Sequence, residues 1–451
     1  MRIHNTNIGA TGFTISGATY TRAPSNDQKT TPQSYQQRPP GASHISAQLP
    51  QKSPIRTKST RSISRYVGII ASLVSVLMLA GLVLLPSLSS GQTALKTSSA
   101  IPVGELAFTS SGQLDPLSSQ GLNDVLTLSL HDLSSPAAGS AFYGWLMPDP
   151  TDRQTPPLLL GKIAVTDGRA HFPYTHPTYK NLLAVYSGIK IAQQSDKQLP
   201  SSPPTDNQAI LYAGSIPNIP SPNDEQRYSQ LDHMRHLLAK DPDLQHIGLQ
   251  GGLDTWLYRN TGKILEWAGS ARDSWGKPGQ TPLIHRHMIR ILQYLDGLAS
   301  LLRTGDLPAG TPVLVDAQAG QMGLLQVSKP PVLPPYLTHV AQHLQMLMNT
   351  SELTKEQRQR ALVIDNALKE AILLLQNVRS AAITLTRMVE HQLQSSNALT
   401  LLNDIVTSTR NAYTGRFDPA TNKSTGGIIW IHDNLQSFAA CPIFAARDKQ
   451  Q

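Results

Sequence analysis

PNIPSPNDEQRYSQLDHMRHLLAK, residues 217–240, is where the hydrophobic period of this 451-residue chain changes from two to about 3.6. Three prolines within six residues end whatever precedes them. Ser221-Pro222 then pairs a capping side chain with proline at a first helical position, which predicts a helix from there to about Lys240. The stretch therefore separates a strand-rich part from a helix-rich part. It makes the expected fold class α+β in separate domains, an antiparallel β-sandwich followed by an α-helical bundle.

On the upstream side, residues 101–216 carry short alternating runs rich in Val, Leu, Tyr and Phe, broken by turn clusters. They predict seven strands, at 104–109, 124–130, 141–147, 158–165, 169–174, 182–186 and 209–213. Asp167-Gly168, between two of them, is a tight hairpin signal. About seven strands in this length suit a small sandwich. On the downstream side, apolar residues recur every three or four positions at 247–272, 282–303, 336–349, 354–393 and 395–411. The longest of these predicted helices opens on a capping box, Thr354 with Gln357, and its stripe runs unbroken from Ala361 to Val389. A stripe of that length needs facing helices, so residues 221–411 are expected to form an antiparallel bundle. A Pro/Gly-rich connection at 304–335, with a short strand or two, interrupts it. Residues 412–451 form an extension whose apolar patches, GGIIWI and FAACPIF, are expected to fold back onto a domain.

Further upstream, residues 66–85 (YVGIIASLVSVLMLAGLVLL) hold no charged side chain. As a helix this run is about 30 Å long, the thickness of a bilayer's hydrocarbon core, and it predicts a single transmembrane anchor. Before it lie nine basic residues and one acid, Asp27, which together account for the whole net charge of +8. Lys52, Arg56, Lys58, Arg61 and Arg65 crowd the near side of the span and place the N-terminus in the cytoplasm, with the folded domains outside. The cations are scattered, without aromatic interleaving, so the expected partner of the tail is the anionic lipid bilayer and not nucleic acid. Residues 1–65 are rich in Gln, Ser, Thr and Pro and are read as a disordered tail, and residues 86–100 as a linker. The lone Cys441 cannot form an internal disulfide and is read as a small buried apolar residue.

Across 124–215 the order of elements resembles the C-terminal extracytoplasmic domain of anti-sigma-K-type factors. The residues that carry it are DVLTLSLHDLSSPAAGSAFYGWLMPD, LLLGKIAVTDGRAHF, LLAVYSGIKIAQQ and AILYAGSIP, with Tyr143, Trp145, Leu146, Gly161, Asp167 and Gly168 at matching places. The resemblance implies a β-sandwich outside the membrane on a single-span anchor. Such factors carry a cytoplasmic sigma-binding helical domain, often with His and Cys-x-x-Cys; this chain has no cysteine before the span. The sigma-inhibiting half is missing, and anti-sigma-like regulation is kept only as an alternative.

Histidine is the one enriched chemical group. Seven of the fourteen fall between 233 and 343. His285 and His287, two apart on a helix, point in opposed directions and cannot share a core site. His339 and His343 share a face, as do His233 and His236, yet both pairs flank the apolar stripe of their helix. The expectation is therefore rim or surface histidines. A metal or haem site in the bundle, with His233, His236, His339 and His343 as candidate ligands, is the alternative. No phosphate-binding loop, nucleophile elbow or paired carboxylates appear, so no catalytic residue and no enzyme activity are expected. The leading expectation is a non-catalytic, single-span membrane protein that presents binding or sensing domains to an envelope partner or ligand.

Overall fold

The computed structural model describes residues 101–446 except 114, 116, 223, 329–332 and 351–352. The tail, the span at 66–85, its orienting cations Lys52, Arg56, Lys58, Arg61 and Arg65, and the linker all lie outside the described residues. Among the described residues no helix is long and apolar enough to cross a membrane.

Strict alternation builds the first strands. In β2 (Val125–Leu130), Leu126, Leu128 and Leu130 point inward and are buried. The strand set is completed by β1 (Gly104–Thr109), β3 (Ser140–Pro148), β4 (Leu158–Ile163), β5 (Ala170–Thr175), β6 (Tyr186–Ser195) and β7 (Ile210–Ser215). An eighth long-range member, β10 (Ala440–Ala445), comes from the C-terminal extension. The sheet runs β4-β3-β6-β7-β10-β1-β2-β5. Every neighbouring pair in it is antiparallel. Its two edge strands, β4 and β5, approach each other, so the sheet is nearly closed and barrel-like. The seven-strand sandwich expected from sequence is thus replaced by a sheet that the extension completes. Strand β10 pairs with β1 (Leu106 opposite Cys441) and then passes to β7 (Phe444 opposite Ala213). Cys441 is buried there.

Strand β6 departs from its expected place at 182–186. Residues 182–185 form a turn, with Leu182 and Leu183 buried in the main apolar cluster, and the strand runs from Tyr186 through SGIKIAQQS. Burial of adjacent leucines does not require a strand when a turn carries both into the core.

The helices are α1 (Gln230–Leu238), α2 (Pro242–His246), α3 (Leu253–Ser274), α4 (Thr281–Asp296), α5 (Leu298–Thr304), α6 (Tyr336–Met348), α7 (Lys355–Thr386), α8 (Glu390–Leu393), α9 (Ser396–Thr414) and α10 (Gly427–Leu435). A two-stranded ribbon, β8 (Arg416–Asp418) with β9 (Lys423–Thr425), links α9 to α10. The capping box of α7 forms as expected: Thr354 Oγ1 accepts from Gln357 N, and Gln357 Oε1 accepts from Thr354 N. Around α7 pack α4, α6, α9 and α10, which cover its apolar stripe. Gly297, at φ 78°, leaves the helical region and divides the helix expected at 282–303; a Cβ there would stand 2.7 Å from Gly323 N, so the position needs glycine. Among the described residues of 304–335 there is no strand; Gln293 clamps that segment, donating to Pro312 O and accepting from Leu314 N, both at 2.8 Å.

Sheet and helices are not separate domains. One buried apolar cluster runs from Leu106 of β1 through the helices to Ile443 of β10. Helix α1 is fastened to the barrel by polar groups as well. Arg235 donates to both carboxylate oxygens of Asp149, at 2.5 and 2.7 Å, and to Leu183 O at 2.9 Å. Asn123 and Asn181 both donate to Leu238 O.

Candidate metal centre

The start of α1 is what the sequence misplaces, and it creates the site. Ser229, not Ser221, caps the helix, in a reciprocal box with Asp232. Residues 224–228 are instead a turn stitched by Asp224, whose Oδ1 accepts from Gln226 N (2.8 Å) and Tyr228 N (3.2 Å). That turn returns Asp224 to α1, where its Oδ2 accepts from His233 Nε2 at 2.9 Å. Prolines at 220 and 222 favour the turn over a helix.

Helix α1 packs against α6, and their facing sides carry the four histidines. His233, His236, His339 and His343 are all buried, contrary to the expectation that they sit at the rim. Each pair lies beside its helix's apolar stripe, as the helical phase requires. The flank becomes interior because the two helices pair along it.

Contacts within the cluster are close. His233 Nδ1 lies 2.9 Å from His343 Nδ1, and His343 Nε2 lies 3.1 Å from His339 Nε2. The donor order follows from Asp224, which can only accept. His233 therefore carries its proton on Nε2 and accepts at Nδ1 from His343 Nδ1–H. His343 is left with a lone pair on Nε2, which accepts from His339 Nε2–H, a bond that a cation at His343 would replace. His233 is thus a positioning residue behind His343, not a fourth donor to the same point.

Two donors missed by the sequence argument come from the loop and helix after α1. Asp241 caps α2, its Oδ1 accepting from Leu244 N at 3.0 Å, while its buried Oδ2 has no hydrogen-bond partner. Asp243, in the first turn of α2, lies 4.0 Å from His339 Nε2. His236 Nδ1 and His339 Nδ1 are buried without partners as well. Two sets of donor atoms result, His236 with Asp241 and His343, and Asp241 with Asp243 and His339, each within 4.8 Å. They line a cavity of about 290 Å³ with Tyr228, whose ring meets that of His236 edge-on at 4.6 Å. The Asp-Pro-Asp run at 241–243 is a cap-and-proline helix signal, so α2 was legible; its nearness to residues 339 and 343 was not.

The electrostatics favour a bound cation. Burial, reinforced by the neighbouring histidines, pushes His343 down to about 2, and burial with His233 nearby takes His236 to about 4. Burial also lowers His339 and His233, partly offset by Asp243 and Asp224. These imidazoles are therefore neutral at neutral pH, with lone pairs available. Asp241 is raised to about 7, chiefly by burial, with the Asp243 carboxylate adding to it against the Leu244 hydrogen bond. An adjacent cation would favour its ionised form.

The other histidines in the helices diverge. His285 Nε2 pairs with Met388 O, and His287 Nε2 with Ser270 Oγ. His432 forms a buried pair with Asp254 at 2.6 Å, its ring tilted against that of Tyr258. No family model, curated protein or solved structure matches this chain.

Proposed function

We propose that this chain is a single-span membrane protein whose outward-facing part binds a divalent transition-metal ion at His236, Asp241 and His343. The observation that carries this reading is the convergence of buried donors with no partner of their own, Asp241 Oδ2 and His236 Nδ1, beside the oriented His343. A buried polar atom without a partner costs about 1–3 kcal/mol, and a site that keeps several is built around something that satisfies them. Two imidazoles and one carboxylate suit zinc, iron or copper better than calcium or magnesium. Three protein donors also leave a coordination position open, the pattern of sites that activate water and not of closed structural sites.

The anchor rests on the charge-free run at 66–85 and the five cations before it. Fusing a reporter that is active only outside the cytoplasm to Gln451 tests it: activity is expected, and its loss would reverse the orientation. Metal binding is tested on the full chain in detergent with cobalt(II), which reports its own coordination in the visible spectrum. Stoichiometric uptake with tetrahedral bands, and a melting temperature raised by zinc, are expected. A chain that retains no cobalt or zinc, with an unmoved melting temperature, returns it to the reading of a non-catalytic binding or sensing module.

A further inference from the structure

We infer that the centre is dinuclear, with a second divalent ion held by Asp241, Asp243 and His339 and with Asp241 shared between the two. This rests on the metal-binding reading above and extends it to a site with its own ligands. Both donor sets contain Asp241, and the histidines of the two sets nearly touch, with His343 Nε2 and His339 Nε2 3.1 Å apart. Ions held on either side of that contact would be near neighbours, and two-metal sites have separations of about 3.5–4 Å.

Asp241 is equipped to bridge. Its Oδ2 is buried without a partner, whereas its carboxylate is held on the capping side by the backbone N–H groups of Leu244 and Asp243. Oδ2, with two lone pairs, can therefore serve both ions without uncapping α2. His339, nine-tenths buried, presents Nε2 to Asp243 at 4.0 Å, and its other ring nitrogen, Nδ1, is buried without a partner. Donors within 4.8 Å of each other must close further, since neighbours on a tetrahedral ion with bonds of 2.0–2.1 Å stand about 3.3 Å apart. The same closure serves both sets because Asp241 belongs to each.

The two positions differ in exposure. His236, Asp241 and His343 are all buried, whereas the Asp243 side chain is 42% exposed. The second ion therefore sits at the mouth of the cavity, bound more weakly and open to exchange. Acidic groups surround the pair: Asp224 behind His233 and Asp232 in the first turn of α1 add to Asp241 and Asp243, which suits a doubled positive charge. Coordination positions left over face the cavity, where water or a substrate oxygen completes each ion.

The test is a cobalt(II) titration of the full chain in detergent, followed by metal analysis after dialysis and by electron paramagnetic resonance. Two ions per chain are expected, in a tight step and a step at least tenfold weaker, with spin coupling only once both are bound. Asp243→Asn is expected to bind one ion with the tight step unchanged. Asp241→Asn, which keeps a good capping residue at the start of α2, is expected to lose the coupled signal and the weak step and to weaken the tight one, with an unaltered far-UV spectrum. One ion per chain in the native protein, or two in Asp243→Asn, overturns the dinuclear centre while leaving the single site standing. No ion at all overturns both.

Discussion

Asp224→Asn should weaken metal binding more than Asp224→Ala, although asparagine is the closer mimic. Oδ1 of Asp224 accepts from two backbone N–H groups, of Gln226 and Tyr228, so an amide at this position must leave its oxygen there. Its NH₂ group then takes the place of Oδ2, 2.9 Å from His233 Nε2, and must donate. His233 is forced to accept at Nε2 and to carry its proton on Nδ1. Facing it at 2.9 Å, His343 Nδ1 must now accept, so the His343 proton moves to Nε2, the nitrogen left for a ligand. Alanine only removes the bias and leaves the ligand-ready tautomer accessible. Loss of an orienting partner behind a metal-bound histidine weakens affinity roughly 10- to 100-fold. That is about 1.4–2.7 kcal/mol, and Asp224→Asn is expected at the upper end with Asp224→Ala at the lower. Competition for zinc against a chromophoric chelator measures both, with the far-UV spectrum showing that the fold survives. Asp224→Asn with native affinity, or weaker binding by Asp224→Ala, would refute the relay.

Three further outcomes follow from the packing. Arg235→Ala strands the Asp149 carboxylate and the Leu183 carbonyl; it should cost about 3 kcal/mol, the low end for a broken buried pair because Asp149 keeps some solvent contact. In a unit of this size that is a fall in melting temperature of about 4 °C, and replacing both partners with apolar residues should cost less. His432 is lowered by burial but raised more by Asp254, so its folded value lies above 6.5. The stability it contributes is complete below pH 6.5 and disappears as pH rises through the folded value; chemical denaturation across that window should show a decline that His432→Gln flattens. Ending the chain after Phe438 removes β10 and leaves β1 and β7 with bare edges, so the truncated chain should lose its cooperative melt and aggregate on size-exclusion chromatography.

Elements defined by neighbouring residues were readable from the chain. The strand at 104–109 and the capping box at Thr354 lie where period and chemistry put them, because alternation and caps act within a few residues. Strand β10 was not readable. It contains Pro442, which argues against a strand, and its partners lie more than 200 residues away in β1 and β7. Its role as the strand that joins the two halves of the sheet has no local signal. The sixth strand failed for a related reason: Leu182 and Leu183 are buried from a turn in the core shared by sheet and helices, which only the folded chain shows.

The histidine cluster divides in the same way. Sequence by itself determined that His233 and His236 share one helical face and His339 and His343 another, since 3.6 residues per turn leaves no alternative. It also determined that both faces border an apolar stripe. Only the tertiary structure decided that these two flanks meet across 110 residues of chain, and that the turn at 224–228 brings Asp224 behind them. Helical phase sets the direction of a side chain, but which helix it meets depends on how the whole core is packed.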